Sequence, residues 1–191
     1  MKLSRLSLLI LGLTTIGWGQ IDRAVSLAQK HRYSEAAAAL QGAAPPETKP
    51  QLIAYHRLKA AIASGTGDAG ASAKEMETAL DLAPEDPNLL QATALAEAQA
   101  NLLDPAIAHL KHAQAIHDSA ALQNLLGDVQ ERRGDSLAAI QSYQAAVQQA
   151  PQVEEYRFAL GLELLRHQTF EPAMLTLEKA AQDFPRSSRL R

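Results

Sequence analysis

The chain has 191 residues, 47% of them hydrophobic, 4% aromatic and 20% charged, with a formal net charge of −3. That apolar content is enough for a core, so the chain is not a disordered one, and its length suits one ordinary domain. The absence of cysteine excludes disulfides, thiolate metal sites, cysteine nucleophiles and a lipidated cysteine anchor; a pI of about 6.1 with no basic stripe argues against a nucleic-acid surface.

The N-terminus carries an export pattern. Lys2 and Arg5 precede an apolar run over residues 6–16, and Gly17-Trp18-Gly19 puts small residues three and one positions before Gln20. That is the layout of a secretory signal peptide, and the run is shorter than the roughly 20 residues that span a bilayer. Residues 1–19 are therefore expected to be a cleaved signal peptide, with a retained anchor as the alternative. The mature protein is expected in the periplasm or secreted, with no remaining membrane span.

From residue 20 onward the chain repeats itself. Leu126-Gly127 recurs as Leu160-Gly161, Ala139 as Ala173, Ala146 as Ala180 and Pro151 as Pro185, all by one and the same shift. Leu40, Met76, Leu110, Tyr143 and Leu177 form a ladder of near-equal steps along the whole chain. The repeats divide the chain at about 20–50, 53–86, 87–119, 120–153 and 154–187. Within a unit the pattern reads helix, turn, helix, turn. In the fourth, helices are expected over residues 121–133 and 136–149, with Gly134 ending the first and Asp135 capping the second. Pro151 lies just beyond, where it cannot continue a helix. Pro84 and Pro185 punctuate other units, and Pro105 and Pro172 fit first helical turns, with Thr169 as the expected cap of the last helix. Ala139 and Ala146 share one helix face and Gly127 lies on the partner helix, so backbones approach there while Leu126, Ile140 and Tyr143 fill the flanks.

This period, with Leu126-Gly127, Gly134-Asp135, Ala139, Tyr143, Ala146 and Pro151 in order, resembles the tetratricopeptide repeat family. The family's early Trp is replaced by Gln123 and its first-helix Tyr by Gln130. The resemblance implies an all-α fold, a right-handed superhelical solenoid of helix-turn-helix repeats, and a scaffold that binds a protein or peptide in a concave groove lined by the first helix of each pair. Groove positions then fall on Asn124, Asp128 and Glu131 in the fourth unit and on Phe158, Leu162, Leu165 and Arg166 in the fifth. Some family members clamp a peptide's terminal carboxylate; Asn124 suits that mode, but Asp128 would repel the ligand.

Other chemistry is thinly signalled. Gly65-Thr66-Gly67-Asp68-Ala69-Gly70 spells a dinucleotide fingerprint, but a helix rather than a strand is expected before it, so it reads as a helix–helix turn. His109 and His112 have metal-ligand spacing, yet no carboxylate lies among them in sequence and the repeat register puts them on a solvated surface. Glu154-Glu155 and Glu75/Glu77 read as solvated or helix-start charges. No catalytic residue, cofactor site or metal site is expected. The last helix, residues 170–183, is expected to turn Phe170, Met174, Leu177 and Ala181 toward its partner and to leave its outer side open. Self-association through that C-terminal end is the second reading of function, and a metal-binding or degenerate enzymatic domain is the third.

Overall fold

The computed structural model describes residues 19–189; the export segment lies almost wholly outside them, and Gly19 begins the first helix. Among the described residues there are ten α-helices and no strand, in two compact units. The first unit, ending at Leu82, holds α1 (Gly19–Gln29), α2 (Tyr33–Leu40), α3 (Lys49–Gly65) and α4 (Ala69–Leu82). The second, from Ala83, holds α5 (Pro87–Gln99), α6 (Leu103–Ile116), α7 (Ala120–Arg133), α8 (Ser136–Gln149), α9 (Glu154–Arg166) and α10 (Phe170–Asp183). Successive helices pack as pairs: α1 with α2, α3 with α4, α5 with α6, α7 with α8, and α9 with α10. α3 starts at Lys49, inside the 20–50 span drawn from the sequence, with Pro50 in its first turn.

Every pair turns the same way. One residue in each turn sits in the left-handed region: His31, Gly67, Asn101, Gly134 and Gln168. Around each, two backbone amides bond back to carbonyls of the preceding helix. At Gly134 these are Gly134 N–H to Glu131 and Asp135 N–H to Gln130; at Gln168 they are Gln168 N–H to Leu165 and Thr169 N–H to Leu164. This is the Schellman closure of a helix, which satisfies otherwise orphaned carbonyls. It occurs at non-glycine residues in three of the five turns, so the backbone pattern is more regular than the glycine pattern that announces it. The fingerprint-like Gly65–Gly70 segment is one of these turns, between α3 and α4.

Second helices begin on aspartate caps where the sequence offers one: Asp68 accepts from Ala71 N–H at 2.9 Å and Asp135 from Ala138 N–H at 3.2 Å. Asp86 caps α5 and Ser119 caps α7 in the same manner. Thr169 corrects the expectation for α10. Its hydroxyl caps no amide and instead donates to Leu164 O at 2.8 Å, closing the end of α9 rather than the start of α10.

Small residues set the helix spacing. Ala36, Ser72, Ala106, Ala139 and Ala173 are all buried at one position of the second helices, and Ala79, Ala113, Ala146 and Ala180 at another. Tyr143 is buried against Gly127, where an added Cβ would lie 2.6 Å from the tyrosine ring. Tyr143 also joins α8 to α9 and α10 in a core with Ile140, Leu160, Leu164 and Ala173. The first unit has its own core of Ile21, Ala24, Ala36, Leu58 and Ile62.

α10 departs from the expected orientation. Ala173 and Ala180, not Phe170 and Met174, face its partner; Phe170 is 60% and Met174 57% exposed, as is Leu175 at 63%. Ala173, Leu177 and Ala180 share one face, and Leu177 reaches toward Gly161; Phe170 and Met174 lie at the edge of that face and stay exposed.

Candidate partner-binding face

Asn124, Asp128 and Glu131 occupy successive turns of one stripe of α7, and Phe158, Leu162 and Leu165 occupy the same stripe of α9, one repeat later. The opposite stripe of α9 is spent on the core: Leu160, Gly161 and Leu164 are buried. Phe158 and Leu162 are half-buried and Leu165 is 37% exposed. A helix that is apolar on two stripes buries one and leaves the other for something else to cover.

The α7 side of this face is polar and already connected. The Tyr143 hydroxyl, at the end of a ring packed on Gly127, donates to Asp128 Oδ1 at 2.8 Å and lies 3.2 Å from Glu131 Oε2. Arg166, from the end of α9, pairs with Glu131 and lies 3.6 Å from Glu163 Oε2. The structure thus brings together Asp128, Glu131 and Arg166 from the expected groove set, while Phe158, Leu162 and Leu165 stay apolar neighbours on α9. Burial pushes the Asp128 carboxyl above its ordinary value, the Glu155 charge pushes the same way, and the Tyr143 hydrogen bond opposes both. Burial, then the charge of Asp128 and the hydrogen bond to it, hold the Tyr143 phenol protonated far above neutral pH.

Two participants were not legible as such. Tyr143 reads as a core residue, and its hydroxyl matters only because the ring lies across Gly127. Glu163 had a signal, since it stands one repeat after the buried Val129 and so puts a carboxylate where the fourth unit has a valine. It is 2% exposed.

His109 and His112 are each paired with a carboxylate rather than merely solvated, which corrects the surface assignment of His109. His109 is half-buried, with Nδ1 2.8 Å from Oε2 of Glu97, a wholly buried side chain on α5. His112 lies 3.2 Å from Glu85 and is exposed as expected. These carboxylates come from the preceding helix and loop, 12 and 27 residues away, where local sequence does not show them.

Glu75 in the first unit is likewise no solvated charge, whereas Glu77 is exposed. Glu75 Oε2 accepts from His56 Nδ1 at 2.7 Å and Oε1 accepts from Lys59, beside an open groove of about 520 Å³ lined in part by Leu40, Tyr55 and Ile62. Burial alone would push the Glu75 carboxyl up, but the hydrogen bonds and charges of His56 and Lys59 outweigh it and hold the group below its usual value. A lowered folded-state value means stability that is present above the unfolded value and lost as pH falls through the folded one. Glu75→Gln is therefore expected to cost about 1 kcal/mol in urea unfolding at neutral pH, with the gap to wild type closing at acid pH, as pH falls through the folded-state value. An equal gap at both pH values would show that the Glu75 charge contributes nothing.

Among the described residues, no helix is long and apolar enough to cross a membrane, and no group of three or more His, Asp or Glu side chains is placed to hold a metal ion. No family profile matches the sequence, and no curated protein matches it. Solved structures do. MamA of MSR-1 superposes with a TM-score of 0.69 at 21% identity, covering 88% of this chain and 97% of the other. MamA of AMB-1 gives 0.71 at 19% identity, covering 88% and 99%. Residues 41 to the end of MamA from Desulfovibrio magneticus RS-1 give 0.72 at 17%, covering 91% and 99%. The chain has their fold. Its class is all-α helical repeat of the tetratricopeptide-like solenoid kind.

Proposed function

We propose that this protein is a scaffold that binds a protein or peptide along the α7–α9 face, and that it does so outside the cytoplasm, in the cell envelope or secreted. One observation carries the binding reading: α9 uses Leu160, Gly161 and Leu164 for its own core and leaves a second apolar stripe, Phe158, Leu162 and Leu165, beside a built polar cluster. The fold supports it only in general, because helical repeats serve many partners through variable groove side chains. Export rests on the pattern of residues 1–19.

The test uses Leu165, which is exposed enough to carry a charge without unfolding the chain. Crosslinking in the native envelope fraction, followed by affinity measurement on the captured protein, is expected to show Leu165→Glu binding about tenfold or more weakly, with an unchanged helical circular dichroism spectrum. Equal capture and affinity for the variant would move the binding surface elsewhere. The N-terminal mass of protein recovered from that fraction tests export; a chain beginning at Met1 in the cytosol alone would sink it.

A second reading has its own observation. Phe170, Met174 and Leu175 are large, apolar and more than half exposed on α10. At the register position of Met174, α8 carries Ile140, which is buried in the core shared with α9. Association of two molecules through α10 would appear as dimers in light scattering and disappear in Met174→Glu; a monomer at all concentrations would dispose of it.

A further inference from the structure

The polar part of the α7–α9 face is short of donors. Asp128, Glu131 and Glu163 meet near one phenol, and the charge of Glu155 adds to the field at Asp128. The Tyr143 hydroxyl has a single hydrogen, so it satisfies Asp128 or Glu131 and not both at once. Among the described residues, the cation that serves this cluster is Arg166, which is paired with Glu131. It stays 3.6 Å from Glu163 Oε2, beyond hydrogen-bond length, and that buried oxygen accepts no hydrogen bond. One turn before Asp128, the Oδ1 of Asn124 is also buried and accepts none. Of the neighbouring arginines, Arg133 is committed to Asp104 and Arg157 to Asp183, while Arg132 is exposed on α7 and is not among the cations paired with this cluster.

Both unmet atoms are acceptors, and the carboxylates outnumber the cation. A group that relieved this would have to bring several donors and a positive charge together. Arginine and lysine side chains do both; a neutral or acidic group does neither. The apolar stripe alongside sets the rest of the requirement.

We propose that the face between α7 and α9 takes a lysine or arginine side chain of a partner segment, with apolar neighbours of that residue lying along Phe158, Leu162 and Leu165. This rests on the partner-binding reading above and narrows it. Affinity depends on charge complementarity at the acidic end and on burial along α9. It is the reverse of a carboxylate clamp: the groove supplies the anions.

The probe is a pair of capped twelve-residue peptides of alanine, leucine and phenylalanine around one central arginine, with citrulline replacing the arginine in the second. Citrulline keeps the shape and removes the charge. Fluorescence anisotropy with the full chain is expected to show the arginine peptide binding about tenfold tighter. That advantage is expected to shrink in Asp128→Asn/Glu155→Gln, which keeps an acceptor for Tyr143 and removes two of the carboxylates while leaving Glu131 and Glu163. Circular dichroism on the variant separates lost charge from lost fold. Equal affinities for the two peptides, both abolished by Leu165→Glu, would overturn the cationic preference and leave the binding face standing. An arginine peptide that does not bind at about millimolar concentration also overturns it, whereas the captured-partner experiment tests the face independently.

Discussion

Gly127→Ala is expected to destabilise the protein by about 2 kcal/mol, although alanine is the better helix former by up to about 1 kcal/mol. The added Cβ would lie 2.6 Å from Tyr143 Cε1 and 2.7 Å from Cδ1. The ring cannot step aside easily, because it is 1% exposed and its hydroxyl is tied to Asp128. Overpacking a rigid ring displaces the α7–α8 contact, and the partner face depends on that ring's hydroxyl. Gly161→Ala is the control. Its Cβ would meet Leu177 Cδ2 at 2.4 Å and Cγ at 2.6 Å, but Leu177 is a half-buried side chain free to change rotamer, unlike the buried, hydrogen-bonded Tyr143 ring. Its cost is expected to stay below about 1 kcal/mol. In the third repeat the corresponding pair is Ala94 and Leu110, both buried, so Gly127→Ala/Tyr143→Leu is expected to recover most of the loss. Urea midpoints of the three variants check this; a Gly127→Ala midpoint at or above wild type would refute the close-packing account.

His109→Ala is expected to cost about 2 kcal/mol, because it removes a hydrogen-bond partner from Glu97, a carboxylate with no exposed surface. The cost belongs mainly to the buried polar group that loses this hydrogen bond. Glu97→Leu/His109→Ala is therefore expected to be more stable than His109→Ala alone, since a well-packed apolar side chain replaces a buried pair at little net loss. A double-mutant cycle by chemical denaturation measures the coupling. A single variant within about 0.5 kcal/mol of wild type would show that Glu97's remaining interactions suffice.

The repeat is readable because its signals are local. The ladder of Leu40, Met76, Leu110, Tyr143 and Leu177 advances in step with the turn residues His31, Gly67, Asn101, Gly134 and Gln168. Period, proline punctuation and an aspartate after glycine act within a few residues, through backbone sterics and capping, so they survive in one sequence without comparison to others. Side-chain size misleads at Phe170 and Met174, because a large apolar residue is expected to be buried. α10 instead buries its alanines, since only small side chains let α9 and α10 approach. Thr169 shows the same limit at shorter range. Its position is that of a cap, but which helix its hydroxyl serves depends on a carbonyl of the preceding helix.

The candidate face divides in the same way. Its residues could be placed from register alone, because Asn124, Asp128 and Glu131 and their α9 counterparts are one repeat apart. What connects them could not. The Tyr143 phenol crosses Gly127 to reach Asp128, Arg166 meets Glu131 from the next repeat, and Glu163 is buried short of a hydrogen bond. The first two are contacts between different helices, and the third follows from what those helices exclude. By itself the sequence determined the helices, their turns and the register in which they repeat, since each follows from neighbours along the chain. Only the packing of one helix on another decided which carboxylates are buried, which cations they share and which apolar stripe is left uncovered, because desolvation and charge pairing depend on distance in space.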